Sequence, residues 1–222
     1  MSPTRFVSEL AALRIADCFN PYGEQCPIFD VSGAADQRRQ ILEAIVASAA
    51  SRGARALWVG RDLGHRGGRR TGLAFTDDLS APLHTARWGV EFKASTIGPP
   101  VSERTATLVW SVLREVDDAV FLWNVFPLHP FVRDQPLSNR GHTSRERGVG
   151  EEFLRTLIGL LRPEIVYGIG ADASSTLRRV AQCEVVSVRH PSYGGQSLFL
   201  RQMEDAYGPL KFASRRAQSS LL

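Results

Sequence analysis

The chain has 222 residues, 43% of them hydrophobic and 23% charged, enough apolar content for one buried core and an ordinary charge load for a soluble domain. A formal net charge of +4 and a pI near 9.3 come almost entirely from arginine, since Lys93 and Lys211 are the only lysines; a planar guanidinium suits phosphate, although an arginine-rich composition alone would give the same total. Three cysteines, Cys18, Cys26 and Cys183, are too few for a four-thiolate cluster, no apolar run approaches the roughly 18 residues of a membrane span, and Met1-Ser2-Pro3-Thr4-Arg5 lacks a signal-peptide pattern. A single cytosolic domain over residues 1–222, with no membrane partner, is expected.

Residues 1 to 34 read as an N-terminal helix followed by a loop around Asn20-Pro21-Tyr22-Gly23. Asp36 to Ala50 repeats Ile41, Leu42, Ile45 and Val46 at helical spacing. Ala56-Leu57-Trp58-Val59 is a short continuous apolar run, as expected of a strand buried on both faces of a parallel sheet. It breaks into a basic loop in which Gly60, Gly64, Gly67, Gly68 and Gly72 let the backbone turn and approach a ligand. Asp62 lies just past the carboxyl end of this strand, where ligands of open α/β sheets bind; it also fits a carboxylate that merely caps a turn.

Thr76 to Pro100 has no firm period and reads as an irregular excursion, and Ser102 opens a helix with Leu108, Val109, Val112 and Leu113 on one face. Ala119 to Trp123 is a second buried strand, ending at Asn124-Val125-Phe126-Pro127-Leu128. Phe131 to Gly148 is polar and basic and reads as a long loop. Glu151 to Leu161 is a helix, Ile165 to Ile169 a third strand, and Gly170-Ala171-Asp172 a turn into the next helix. Gly168-Ile169-Gly170 lacks the third glycine and the downstream acid of a dinucleotide fold. Val185 to Val188 is a fourth strand, followed by His190-Pro191-Ser192 and a helix from Gln196 to Tyr207; Lys211 to Leu222 reads as a loosely ordered tail. Strands alternating with helices predict an α/β three-layer sandwich with a central four-stranded parallel sheet.

In such a sheet Asp62, Asn124 and His190 share one edge, and an acid, an amide and an imidazole there suit a small heterocycle. Gly60-x-Asp62-x-Gly64 with Thr71-Gly72-x-x-Phe75, then Asn124-x-x-Pro127-Leu128 with Asn139-Arg140-x-x-Thr143, then His190-Pro191-Ser192, together resemble the motifs of the uracil-DNA glycosylase superfamily, most closely its single-strand-selective monofunctional branch. The resemblance runs from about Leu57 to Phe199. It implies a DNA repair enzyme of base excision that flips uracil out of DNA and hydrolyses its N-glycosidic bond, leaving an abasic site, as a monomer and without metal or other cofactor. His65, His84, His129 and His142 are too scattered in sequence to suggest a metal.

By that resemblance the catalytic residues are Asp62, orienting water and stabilising the sugar cation, and His190, donating to the uracil oxygen that gains charge. Phe75 stacks on the base and Asn124 reads its imide edge, with Gly60, Arg61, Leu63 and Gly64 completing the base pocket. Gly64 falls where the best-known enzymes place a tyrosine that excludes a 5-methyl group, so a roomier pocket is expected. Arg66, Arg69, Arg70, Asn139, Arg140, Ser192, Tyr193 and Gly194 are expected on DNA. Leu63 replaces the proline that follows the acid in the family pattern, and Tyr193-Gly194 replaces the usual residues after His-Pro-Ser. The arginine surplus also fits a uracil- or abasic-DNA-binding protein of poor turnover, and the α/β pattern alone fits a free-nucleoside hydrolase.

Overall fold

A computed structural model describes residues 1–210; the expected C-terminal tail lies outside the described residues. In chain order the elements are α1 (Pro3–Ala12), β1 (Cys18–Phe19), α2 (Ala34–Arg52), β2 (Ala56–Asp62), α3 (Gly68–Thr71), α4 (Ala81–Arg87), α5 (Arg104–Leu113), β3 (Val120–Phe126), β4 (His129–Pro130), α6 (Ser144–Leu161), β5 (Ile165–Ile169), α7 (Ala171–Val180), β6 (Glu184–Val188) and α8 (Gln196–Tyr207). β3, β2, β5 and β6 form, in that order, a four-stranded parallel sheet, which is the expected fold class.

The period-2 geometry of β2 and β3 divides the core between the sheet's two faces. Leu57, Val59, Phe121, Trp123 and Val125 pack with residues of α1, α2, α6 and α7. Ala56, Trp58, Val120 and Leu122 point the other way, into a second cluster with α5 and α8. Every residue of β3 is buried, including Asn124, the one polar residue in an otherwise apolar run. Register pairs Gly60 with Asn124 and Asp62 with Phe126, so the polar ends of the central strands lie side by side.

Two sequence expectations need correction. The stretch Thr76 to Pro100 is not wholly irregular: Pro82 stands in the first turn of α4, where its missing N–H costs nothing. The loop after Phe131 is shorter than expected, because α6 starts at Ser144. Its N-terminus is a capping box in which the Thr143 hydroxyl accepts from the Glu146 N–H and the Glu146 carboxylate accepts from the Thr143 N–H. The two-stranded antiparallel ribbon of β1 and β4 was not foreseen either; it ties the N-terminal segment to the start of this loop.

Candidate active site

The carboxyl ends of the four parallel strands open into a cavity of about 520 Å³, within the usual size for small-molecule sites. Asp62 from the end of β2, Asn124 from β3, Phe75 after α3 and His190 after β6 all line it. One edge of one sheet thus gathers groups that are up to 128 positions apart in the chain.

The Asp62 side chain is only 6% exposed. Its Oδ2 accepts from Arg61 Nε at 2.6 Å, and its Oδ1 pairs with His142 Nδ1. Neither oxygen has used all its lone pairs, so a water or a developing cation in the cavity can still engage the carboxylate. Asn124 is 3% exposed, and its side-chain amide makes no hydrogen bond among the described residues. A buried amide with no protein partner that faces a cavity is a group awaiting a ligand.

Phe75 holds a left-handed backbone conformation, φ +53°, anchored by Trp110 Nε1 donating to its carbonyl oxygen at 3.0 Å. Its ring lies against Gly60: a Cβ at that position would come within 2.5 Å of both Phe75 Cζ and Asn124 Oδ1. Gly60 is therefore the floor that lets these two groups approach the sheet rather than a wall of the cavity.

His190 Nδ1 accepts from the backbone N–H of Ser192 at 3.1 Å. That bond places the neutral ring's proton on Nε2, which becomes the donor. Burial pulls the His190 pKa below the usual imidazole range, opposed by Glu103 and reinforced by Arg61 and Arg189, so the neutral donor is the form at physiological pH.

Leu63 and Gly64 also line the cavity. The Leu63 N–H donates to Leu128 O at 3.2 Å, a bond that the proline of the family pattern cannot make. A side chain at Gly64 would meet nothing within 4 Å.

Several expected DNA contacts are placed differently. Arg69 is 3% exposed, stacked with its guanidinium 3.8 Å from the Phe19 ring centroid and bonded to His129 Nδ1 at 3.0 Å; burial lowers its pKa. Arg70 is 6% exposed and pairs with Asp78 at 2.8 Å beneath Phe29. Both are interior supports, and neither reaches DNA. Arg140 borders the cavity, but its donors are committed to Glu146 at 2.7 and 2.8 Å, Phe131 O and Asp17 O. Burial alone would raise the pKa of Glu146; Arg140 and the Thr143 N–H outweigh it and hold the carboxyl down near 2. Asn139 likewise spans loops, its Oδ1 accepting from the His65 N–H at 2.9 Å. Arg66 is exposed, as are Tyr193, fully so with φ +53°, and Gly194, φ +74°; Ser192 and Tyr193 stand at the cavity, and so does Arg61, the exposed residue expected in the base pocket.

Three further residues of the site were not singled out by sequence reasoning. Glu103 lines the cavity and caps α5, accepting from the Thr105 and Ala106 N–H groups. Asp172 lines it too, in the first turn of α7; its position just after the third strand was the available signal. His142 is buried behind Asp62, and nothing local in the sequence marks it. Among the described residues no group of three or more His, Cys, Asp or Glu is placed to hold a metal.

A parallel α/β sheet has a concave site at its carboxyl edge, furnished with an acid, an unpaired amide, a half-buried aromatic ring and a neutral imidazole donor, a set of groups chemically suited to a flat polar heterocycle. The family model of the uracil DNA glycosylase superfamily matches residues 48–207, and the chain belongs to that superfamily of DNA glycosylases. Its fold is similar to the crystal structure of wild-type SMUG2 from Pedobacter heparinus, with a TM-score of 0.58 over 99% of both chains at 15% sequence identity. No curated protein matches it in sequence.

Proposed function

We propose that this protein excises uracil from DNA as a monofunctional glycosylase. The observation that carries the reading is the unpaired Asn124 amide facing the same cavity as His190 Nε2–H, Phe75 and Asp62. An amide offers a donor and an acceptor side by side, the complement of an imide edge. In this reading Phe75 covers the face of the flipped base and Asn124 pairs with its edge.

The C1′–N1 bond then breaks with its electron pair going to the base, where charge collects on a carbonyl oxygen. His190 donates to that oxygen from a fixed position, a preorganised contact that contributes on the order of 3 kcal/mol. Asp62 stabilises the positive charge developing on the sugar and orients the water whose oxygen bonds to C1′. The water's proton leaves to solvent, and the products are free base and an abasic site. Open space beside Gly64 supports a pocket that also admits a 5-substituted uracil.

The competing reading, a binder of poor turnover, was motivated by Arg61, Arg66, Arg69 and Arg70 together. Burial of Arg69 and Arg70 halves that surplus. The test is base release from a uracil-containing oligonucleotide, followed by alkaline cleavage of the abasic strand. Release that continues over many turnovers supports excision; a single-turnover burst that stalls favours the binder, and no release at enzyme excess refutes the proposal.

A further inference from the structure

His142 is the buried group that the excision scheme leaves unused. Its side chain is 2% exposed and does not line the cavity, yet it stands directly between two carboxylates that do. On one side Nδ1 bonds Oδ1 of Asp62, from β2. On the other Nε2 lies 3.2 Å from Oδ1 of Asp172, from α7, an ion-pair contact rather than an aligned hydrogen bond. The ring of Phe126, at the end of β3, packs at 6.1 Å between centroids and closes off the remaining side.

We propose that His142 is the positioning residue for Asp62: an imidazolium clamped between Asp62 and Asp172 that fixes the catalytic carboxylate against the cavity wall. The inference rests on the proposed role of Asp62 in excision. Arg61 also bonds Asp62, but it is 54% exposed and its pull is screened by water. His142 is the partner that acts from the dry side, where a charge interaction is strongest.

The charged groups facing the imidazole are Asp62 from β2 and Asp172 from the start of α7; Arg61 from β2 acts on both carboxylates, and Arg147 from the first half of α6 acts on Asp172. Burial alone would lower the His142 pKa. The two carboxylates outweigh it and bring the value up to about 9, while the Asp172 carboxyl is held below its ordinary range by the same imidazole. The clamp is therefore charged at neutral pH. Two carboxylates and one imidazolium give the clamp itself a net charge of one negative, before Arg61 is counted.

The test is single-turnover uracil excision and half-saturating DNA concentration for wild type, His142→Ala, His142→Asn and Asp172→Asn, from neutral to strongly alkaline pH, with thermal melts to establish folding. Loss of the clamp lets Asp62 move, and a displacement of about 1 Å costs on the order of 100-fold in rate. His142→Ala is expected to lose about that factor in rate at neutral pH without a change in half-saturating DNA concentration. His142→Asn, whose neutral amide can still donate to Asp62 but carries no charge, is expected to recover only part of the rate and to show no alkaline limb.

Wild type should lose activity with a midpoint near pH 9, the free-protein value for His142. Asp172→Asn should move that midpoint down by about one pH unit, since Asp172 is partly exposed. An alkaline limb that Asp172→Asn leaves in place belongs to the imide proton of the base and overturns the proposal, as does wild-type activity in His142→Ala. No base release by wild type refutes the excision reading itself; release with unaltered histidine variants refutes the clamp alone.

Discussion

Gly60→Ala isolates the geometry of base recognition from the stability of the fold. Position 60 lies in β2 with no positive φ, so alanine brings no backbone strain, but its Cβ would sit 2.5 Å from both Asn124 Oδ1 and Phe75 Cζ. Ordinary contact begins near 3.4 Å, so each group must withdraw by almost 1 Å. Both line the cavity, which offers them room to give way. A misplacement of about 1 Å in a reacting arrangement costs roughly 100-fold, or about 2.7 kcal/mol of barrier at 1.36 kcal/mol per tenfold. Single-turnover excision of uracil should fall by about that factor, while the melting temperature moves by no more than about 4 °C and DNA affinity, set by phosphate contacts, stays put. Excision within about threefold of wild type would refute the placement of Asn124 and Phe75 on the base.

Charged residues with opposite surroundings should separate cleanly. Arg66→Ala should weaken DNA binding and reduce the salt slope by about one, measured by titration at several salt concentrations, with little change in stability. Arg69→Gln should instead destabilise the fold by about 2 kcal/mol, read from urea unfolding, and leave the salt slope alone, because its guanidinium packs on Phe19 and bonds His129. Asp30→Asn strands the Arg38 guanidinium, whose side chain like that of Asp30 is fully buried in the pair, and should cost about 3–5 kcal/mol in the same assay. Burial holds His84 down near 3 and His129 near 4. The unfolded chain therefore takes up protons below the ordinary value of 6.5 that the native state refuses. Their contribution is fully present above pH 6.5 and is lost as pH falls towards 4 and 3, so urea midpoints should drop between neutral pH and pH 5.

The four parallel strands were legible because each is a run of apolar residues flanked by turn residues. Ile165–Ile169 was delimited to the residue, and the strand opening at Ala56 was located at its start. Asp62, Asn124, Phe75 and His190 were legible as well, since each follows or ends a strand and falls within a motif whose order and spacing a linear chain displays. The first turns of α6 were not, because Arg145, Arg147, Gly148 and Gly150 look like loop; the Thr143 and Glu146 capping pair that starts the helix was present but short.

Local pattern was enough for the sheet, for the family and for which residues stand at the strand ends. Which charges are buried, and against what, follows from long-range packing. Arg69 and Arg70 look like a phosphate track until Phe19, Phe29, Asp78 and His129 arrive from distant segments and bury them. Asp62 looks like a lone acid in a glycine-rich loop until His142, 80 positions away, comes to rest behind it. A charge's role is set by its partners and by how much water is left around it, and neither is a property of neighbouring residues in the chain.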